Sequence, residues 1–417
     1  MASITQLYKT PPHGDGGMEE YKKKLFRHRA GLGIRFLICA VVVLVIVVGL
    51  WIWFRGRTYA GYEVVSSVES TSAVNTQYAE YNGQLLRYSR DGISCVNAKN
   101  EAVWSQTYNM HYPILDICGS AVVIADQQGS EAYVFNSQGL LTQITTRLPI
   151  QQVSVSAQGV TALLLNDSAA SWIYLYDAEG NVLAESRCSL DETGQPLSIS
   201  ISRDGSKLAV SYLQVQEGSA GSCVVFYNFG SVGANFVDKI VSSTVYEDTI
   251  IPRVEYLSSS VCAAVSDQGI IFYEGAEIPE EGAALTLDAE ILSVFFGTDR
   301  VGIITEEAQA ADEAAEETGK KTGKKTEEEA GRYQVNVYDT AGRTVLSLRT
   351  DLKYTQAKIS EDVLILYNDT ECEIYSAQGV LKYAGTFDTA IGDLYKAAGF
   401  RKYVVVFSDR TDIIKLK

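Results

Sequence analysis

One tight turn recurs along this chain and restricts its fold more than any other feature. An aromatic residue ends an apolar segment, three residues intervene, and a glycine opens the next segment. The copies are Phe135-Asn136-Ser137-Gln138-Gly139, Tyr176-Asp177-Ala178-Glu179-Gly180, Tyr338-Asp339-Thr340-Ala341-Gly342 and Tyr375-Ser376-Ala377-Gln378-Gly379. Glycine supplies the positive φ that a hairpin turn of this kind needs. Gly139 and Gly180 are 41 residues apart, and Gly342 and Gly379 are 37 apart. The 162 residues from Gly180 to Gly342 hold three more units once a low-complexity insertion at 306–332 is set aside, at about 45 residues each. That length is the span of a four-stranded propeller blade.

From Tyr62 onward, apolar and polar residues alternate in short runs broken by Gly, Asn, Asp and Ser, without a 3.6-residue period, so the region reads as nearly all β. Pro113, Pro149, Pro196 and Pro252 fall where one unit crosses to the next, a place that needs no ladder donor. Eight central hairpins are legible, turning near Gly92, Gly129, Asn166, Gly221, Gly269, the insertion, Asn368 and Asp409. The expected fold is therefore an all-β, eight-bladed β-propeller, with seven blades as the alternative. The last copy, residues 403–417, stops before an outer strand. Residues 62–68 alternate like the missing strand, so the N-terminal segment is expected to complete the last blade and remove an exposed edge.

Residues 36–54 form an uninterrupted apolar run of 19, long enough at about 1.5 Å per residue to cross the bilayer hydrocarbon. Six basic residues at 22–35 precede the run and two follow it directly, which places the N-terminus in the cytoplasm. The expected organisation is a basic cytoplasmic tail over 1–33, a single-pass transmembrane signal anchor over 34–55, and an extracytoplasmic propeller over 58–417 in the cell membrane. A cleaved signal peptide is the competing reading, disfavoured by the length of both run and tail.

Nine of the 35 basic and three of the 51 acidic side chains lie in residues 1–57, leaving 26 basic and 48 acidic beyond them, a net −22. A field of that sign argues against nucleic acid as a partner. The insertion holds nine acidic and five basic residues and reads as a surface loop between two strands of blade six. Cys95, Cys118, Cys188, Cys223, Cys262 and Cys372 stand singly in apolar strand patterns, as buried free thiols do, and no metal-ligand spacing is present. No metal site is expected.

His111 is the one histidine beyond the membrane run, so catalysis by a nucleophile with a histidine base has a single candidate. It stands beside Tyr112 at a predicted crossover, and Arg147 and Arg253 flank crossover prolines. Those four residues are the candidate ligand-binding set at the channel mouth, and no catalytic residue is proposed. Asp177 and Asp339 recur at equivalent turns and read as structural Asx turns.

Ser202-Arg203-Asp204-Gly205-Ser206-Lys207-Leu208-Ala209-Val210 resembles the Asp-Gly turn and following strand in blades of TolB-like and WD40-like propellers. The whole unit is similar to the eight-bladed rings of pyrroloquinoline-quinone (PQQ) type. The resemblance implies a blade, not an activity. PQQ-type enzymes hold their cofactor between a tryptophan and adjacent cysteines, whereas residues 58–417 contain Trp104, Trp172 and no adjacent cysteine pair, so no cofactor is expected. Basic tail, single helix and outer propeller together resemble a membrane-anchored propeller family of Gram-positive, clostridia-type bacteria. The function expected from these readings is a protein-binding or scaffolding module in the cell envelope, partnered by the membrane and an envelope protein, and not an enzyme. A carbohydrate-active or other hydrolytic propeller is one alternative and requires two channel-facing carboxylates at catalytic distance. An extracytoplasmic ligand sensor is another.

Overall fold

The computed structural model describes Phe26, residues 41–44, Gly49, and residues 56–69, 75–167, 170–188, 193–216, 218–306 and 332–417. The expected tail and membrane helix, and residues 307–331 of the insertion, lie outside the described residues apart from the isolated positions just named. Among the described residues, no helix is long and apolar enough to cross a membrane. The chain divides into Met1–Thr58 and Tyr59–Lys417, and the second unit carries the fold described below.

Among the described residues, 32 strands, β1 to β32 in chain order, form eight antiparallel four-stranded sheets. Seven blades are contiguous in sequence, at 77–107, 113–145, 150–188, 195–246, 253–286, 291–350 and 356–386. The eighth joins β30 (Ile391–Lys396), β31 (Lys402–Phe407) and β32 (Arg410–Leu416) to β1 (Tyr62–Glu69) in the order β1-β32-β31-β30. The protein is thus an eight-bladed propeller, closed by its first strand. The β1–β32 ladder runs from Tyr62↔Leu416 to Glu69↔Arg410. Ser67 Oγ donates to Asp412 Oδ1 at 2.5 Å, and the Tyr62 ring packs on Tyr383 and Phe387.

The turn chemistry follows from the repeated glycine and the polar residue ahead of it. Gly180 and Gly342 hold φ of 88° and 71°, values that favour glycine. Asp177 Oδ1 accepts the N–H groups of Glu179 and Asn181, and Asp339 Oδ1 accepts those of Ala341 and Arg343. Both aspartates are structural turn residues.

The core is not central. Eight apolar clusters of described residues lie between neighbouring blades, one for each pair around the ring, including the pair of blades eight and one. Trp104 of blade one stacks on Phe135 of blade two, with ring centroids 4.7 Å apart. The six cysteines of the propeller are free thiols, five of them buried and Cys118 half-buried. Burial pushes the Cys95 thiol up to about 11 and Cys372 to about 12, which leaves them protonated and inert at neutral pH. The insertion separates β23 (Arg300–Glu306) from β24 (Tyr333–Asp339) of blade six, and Arg332 bridges to Glu306 at 2.7 Å across its neck.

Candidate ligand site in the central channel

The first strand of each blade faces the ring's axis. These are β2 (Gln77–Tyr81), β6 (Pro113–Cys118), β10 (Ile150–Val155), β14 (Gln195–Ile201), β18 (Arg253–Tyr256), β22 (Ile291–Gly297), β26 (Gln356–Ser360) and β30. All eight contribute to one cavity of about 880 Å³. Asn82, Gly119, Arg203 and Thr298, which follow inner strands, also line it, so the cavity lies toward the end of the channel away from the crossovers.

A belt of polar side chains ties inner strands together. Asp116 Oδ2 accepts the Val155 N–H at 2.7 Å, Ser154 Oγ accepts the Ile201 N–H at 3.1 Å, and Ser200 Oγ accepts the Tyr256 N–H at 2.9 Å. Each captured N–H belongs to the residue after the next belt member, so Glu255 holds the fourth place. Ser360 Oγ accepts the Lys396 N–H at 3.0 Å and donates to Glu80 Oε2 at 2.7 Å, linking blades seven, eight and one. The belt satisfies backbone groups that the inner edge of a propeller leaves without a ladder partner.

Charge collects in two places. Glu255 pairs with Arg253 at 2.6 Å, and the Arg253 guanidinium lies 5.6 Å from the centre of the Phe296 ring. Asp393 pairs with Lys358 and accepts the Tyr367 hydroxyl at 3.0 Å. Burial pushes the Glu255 carboxyl up to about 7, with Arg253 opposing and Asp116 adding to the rise. Burial also raises Asp116, opposed by the Val155 N–H and by Arg253. Protein crowds both groups, yet 23% of the Glu255 side chain remains open to water in the channel.

The sign of the resulting pH dependence follows directly. A carboxyl whose folded pKa exceeds its ordinary value favours the fold when protonated, so stability falls as pH rises from about 4.5 to about 7 and then levels. Glu255→Gln is expected to flatten the fall in melting temperature over that window and to be the more stable protein at pH 8. Equal pH slopes in calorimetry for the two proteins would remove Glu255 as the cause.

The four residues expected at the channel mouth do not come together. His111 and Tyr112 lie on the crossover between blades one and two, where both backbone N–H groups donate to Asp126 Oδ1 at 2.8 Å. The His111 Nδ1 is 3.6 Å from Asp126 Oδ2, and its side chain is 81% exposed. Arg147 is exposed on the next crossover, within electrostatic reach of Tyr174 of blade three. Arg253 alone of the four borders the carboxylates of the channel. Asp116 and Glu255 were not singled out from sequence. The available signal was one acid inside each of two short inner-strand segments, PILDIC and RVEY.

Among proteins related by sequence, the profile of a family of unknown function (DUF5711) matches residues 55–416, which is most of the chain. The chain belongs to this family. No curated protein matches the DUF5711 chain. Among solved structures, Sqt1 of Saccharomyces cerevisiae is similar at 12% identity and TM-score 0.50, over 86% of this chain and 100% of that one. Dipeptidyl peptidase 4 of Porphyromonas gingivalis is similar at 11% identity and TM-score 0.51, over 81% of this chain and 56% of that one. BamB of Moraxella catarrhalis matches at 12% identity and TM-score 0.47, over 85% of this chain and 100% of that one. At such identities the first two likenesses speak for the propeller fold of the DUF5711 chain and for nothing further.

Proposed function

We propose that this DUF5711 chain is a single-pass membrane protein with a cytoplasmic N-terminus, whose propeller stands outside the cell as a protein-binding or scaffolding module of the envelope. The apolar run at 36–54 and its basic flank support the anchor. Blade four carries the binding reading, because there the repeat departs from its own pattern. β15 (Lys207–Gln216) and β16 (Ser219–Asn228) have ten residues each, where the matching pair in blade three has six each. Their ladder continues to Gln216↔Ser219, so the hairpin overhangs the crossover face by about four residues, or ~13 Å. Toward that end the same blade exposes Val215 (69%) and Val245 (58%). A rigid ring with one projecting, apolar-tipped arm is suited to engaging a protein surface.

The test is in-cell crosslinking of the intact chain, followed by affinity capture and mass spectrometry. Two controls accompany it: an anchor of residues 1–57, and a full chain whose residues 214–221 are replaced by Asn-Gly. One envelope protein is expected in stoichiometric yield from the intact chain and from neither control. Equal recovery from the trimmed hairpin sinks the role of blade four, and nothing above background sinks the scaffold. Protease added to intact cells is expected to degrade the propeller, and full protection overturns the topology.

A further inference from the structure

We infer that one edge of the propeller, formed by Phe400, Arg401, Lys402, Lys415 and Lys417 of blade eight, docks on anionic lipid headgroups. The inference deepens the anchored reading above and rests on it for the presence of a bilayer. Three strand ends meet at this edge. β1 starts at Tyr62 opposite Leu416, and β31 starts at Lys402 opposite Lys415. It is the end of blade eight away from the crossover that leads into β30, and the chain enters the propeller here. The Tyr59 N–H donates to the Lys382 carbonyl at 2.8 Å, and the Lys417 N–H donates to the Gly61 carbonyl at 2.9 Å. Five residue steps separate Phe54, the last of the apolar run, from Tyr59, a reach of at most about 18 Å.

Charge and exposure single out the same edge. In a domain of net −22, residues 396–417 hold six basic and two acidic side chains, a net of +4. Both acids, Asp409 and Asp412, pair with Arg410 at the opposite end of the blade. Lys396 is committed to Glu361 and Asp362, whereas Lys415 and Lys417 share Glu63 at 3.8 and 3.7 Å. No carboxylate pairs with Arg401 or Lys402 among the described residues. The Arg401 guanidinium lies instead 4.9 Å from the centre of the Phe400 ring and 5.0 Å from that of Tyr59. Cations therefore outnumber acids at this edge. Phe400 stands 67% exposed on the turn between β30 and β31, and the matching turns of the other seven blades hold no aromatic residue. An exposed ring among basic side chains is the composition by which surface segments enter the headgroup layer of an anionic membrane. The acidic remainder of the propeller is repelled by the same surface, so both fields turn blade eight toward lipid.

Hydrogen–deuterium exchange of the full chain in nanodiscs of phosphatidylcholine or of phosphatidylglycerol tests the inference. Amides 398–401 are expected to exchange at least about fivefold more slowly in phosphatidylglycerol, while those of 408 and 409 at the other end of the blade stay unchanged. Phe400→Ser combined with Lys402→Gln, Lys415→Gln and Lys417→Gln should remove the difference. Raised sodium chloride should remove it in the unsubstituted chain as well, which keeps the test free of any change in folding. Equal exchange at 398–401 in the two lipids, or a difference that survives both salt and the combined substitution, overturns the inference. Escape of the chain from phosphatidylcholine discs would sink the anchor alone, because the same amides read with added vesicles of either lipid still decide the edge.

Discussion

Removing β1 lowers the melting temperature of the propeller by about 10 °C or more. The informative comparison is between a chain that begins at Tyr59 and one that begins at residue 70, since both lack the apolar run at 36–54 and only the second lacks the strand. Blade eight then loses the β1–β32 ladder between Tyr62 and Glu69, the bond from Ser67 to Asp412 and the Tyr62 ring on Tyr383 and Phe387. At about 1 kcal/mol per net hydrogen bond and about 1 kcal/mol for the half-buried ring, the loss is about 5 kcal/mol. In a domain of this size that corresponds to about 2 °C per kcal/mol. It also bares the edge of β32 to other chains, so soluble aggregates should accompany the shift. Thermal unfolding with light scattering reads both, and a shift under 2 °C would mean that three strands suffice for blade eight.

The second large effect is expected at Asp204→Ala, at about 3 kcal/mol. Lys207 is 1% exposed along its side chain, and its Nζ has Asp204 Oδ2 at 3.4 Å and Ser206 Oγ at 3.0 Å. The Asp204 side chain is 40% exposed, but the ammonium it faces is buried, and removing the carboxylate leaves that charge with the Ser206 hydroxyl alone. Asp204 also holds its turn by accepting the Ser206 N–H at 3.1 Å, so two losses are mixed in the single substitution. The double variant Asp204→Ala with Lys207→Met separates them. Chemical denaturation is expected to show recovery of more than half the loss in the double variant. If the double variant is no better than the single one, the turn and not the charge carries the cost.

Most of the fold was legible because a propeller repeats its punctuation. The eight hairpins read from sequence coincide with the eight central turns, including the insertion between β23 and β24, and the strand at residues 62–68 closes blade eight as its alternation suggests. The Asp-Gly turn at Asp204-Gly205 opens β15, in keeping with its likeness to other propeller blades. The channel was far less legible. Crossover residues such as His111 and Arg147 draw attention because they break the pattern, and the structure sets them on separate crossovers. Asp116 and Glu255 occupy unremarkable alternating positions, and they line one cavity from blades two and five. Strand spacing fixes neighbours within a blade, and no local rule reports which inner strands face each other across an axis.

The seam in blade eight also sets an order of events during synthesis. Ser67 and Asp412 are 345 residues apart in the chain and in contact in the fold. A growing chain exposes β1 long before β32 exists, so β1 has no strand to pair with until residues 410–416 are made. Blades one to seven can assemble progressively as each is completed, because each meets only its neighbours. Closure waits for β32, which makes it the slow, non-local step. A chain cut short before β32 would keep seven finished blades and an open ring, a product that proteases can recognise by its unpaired first strand.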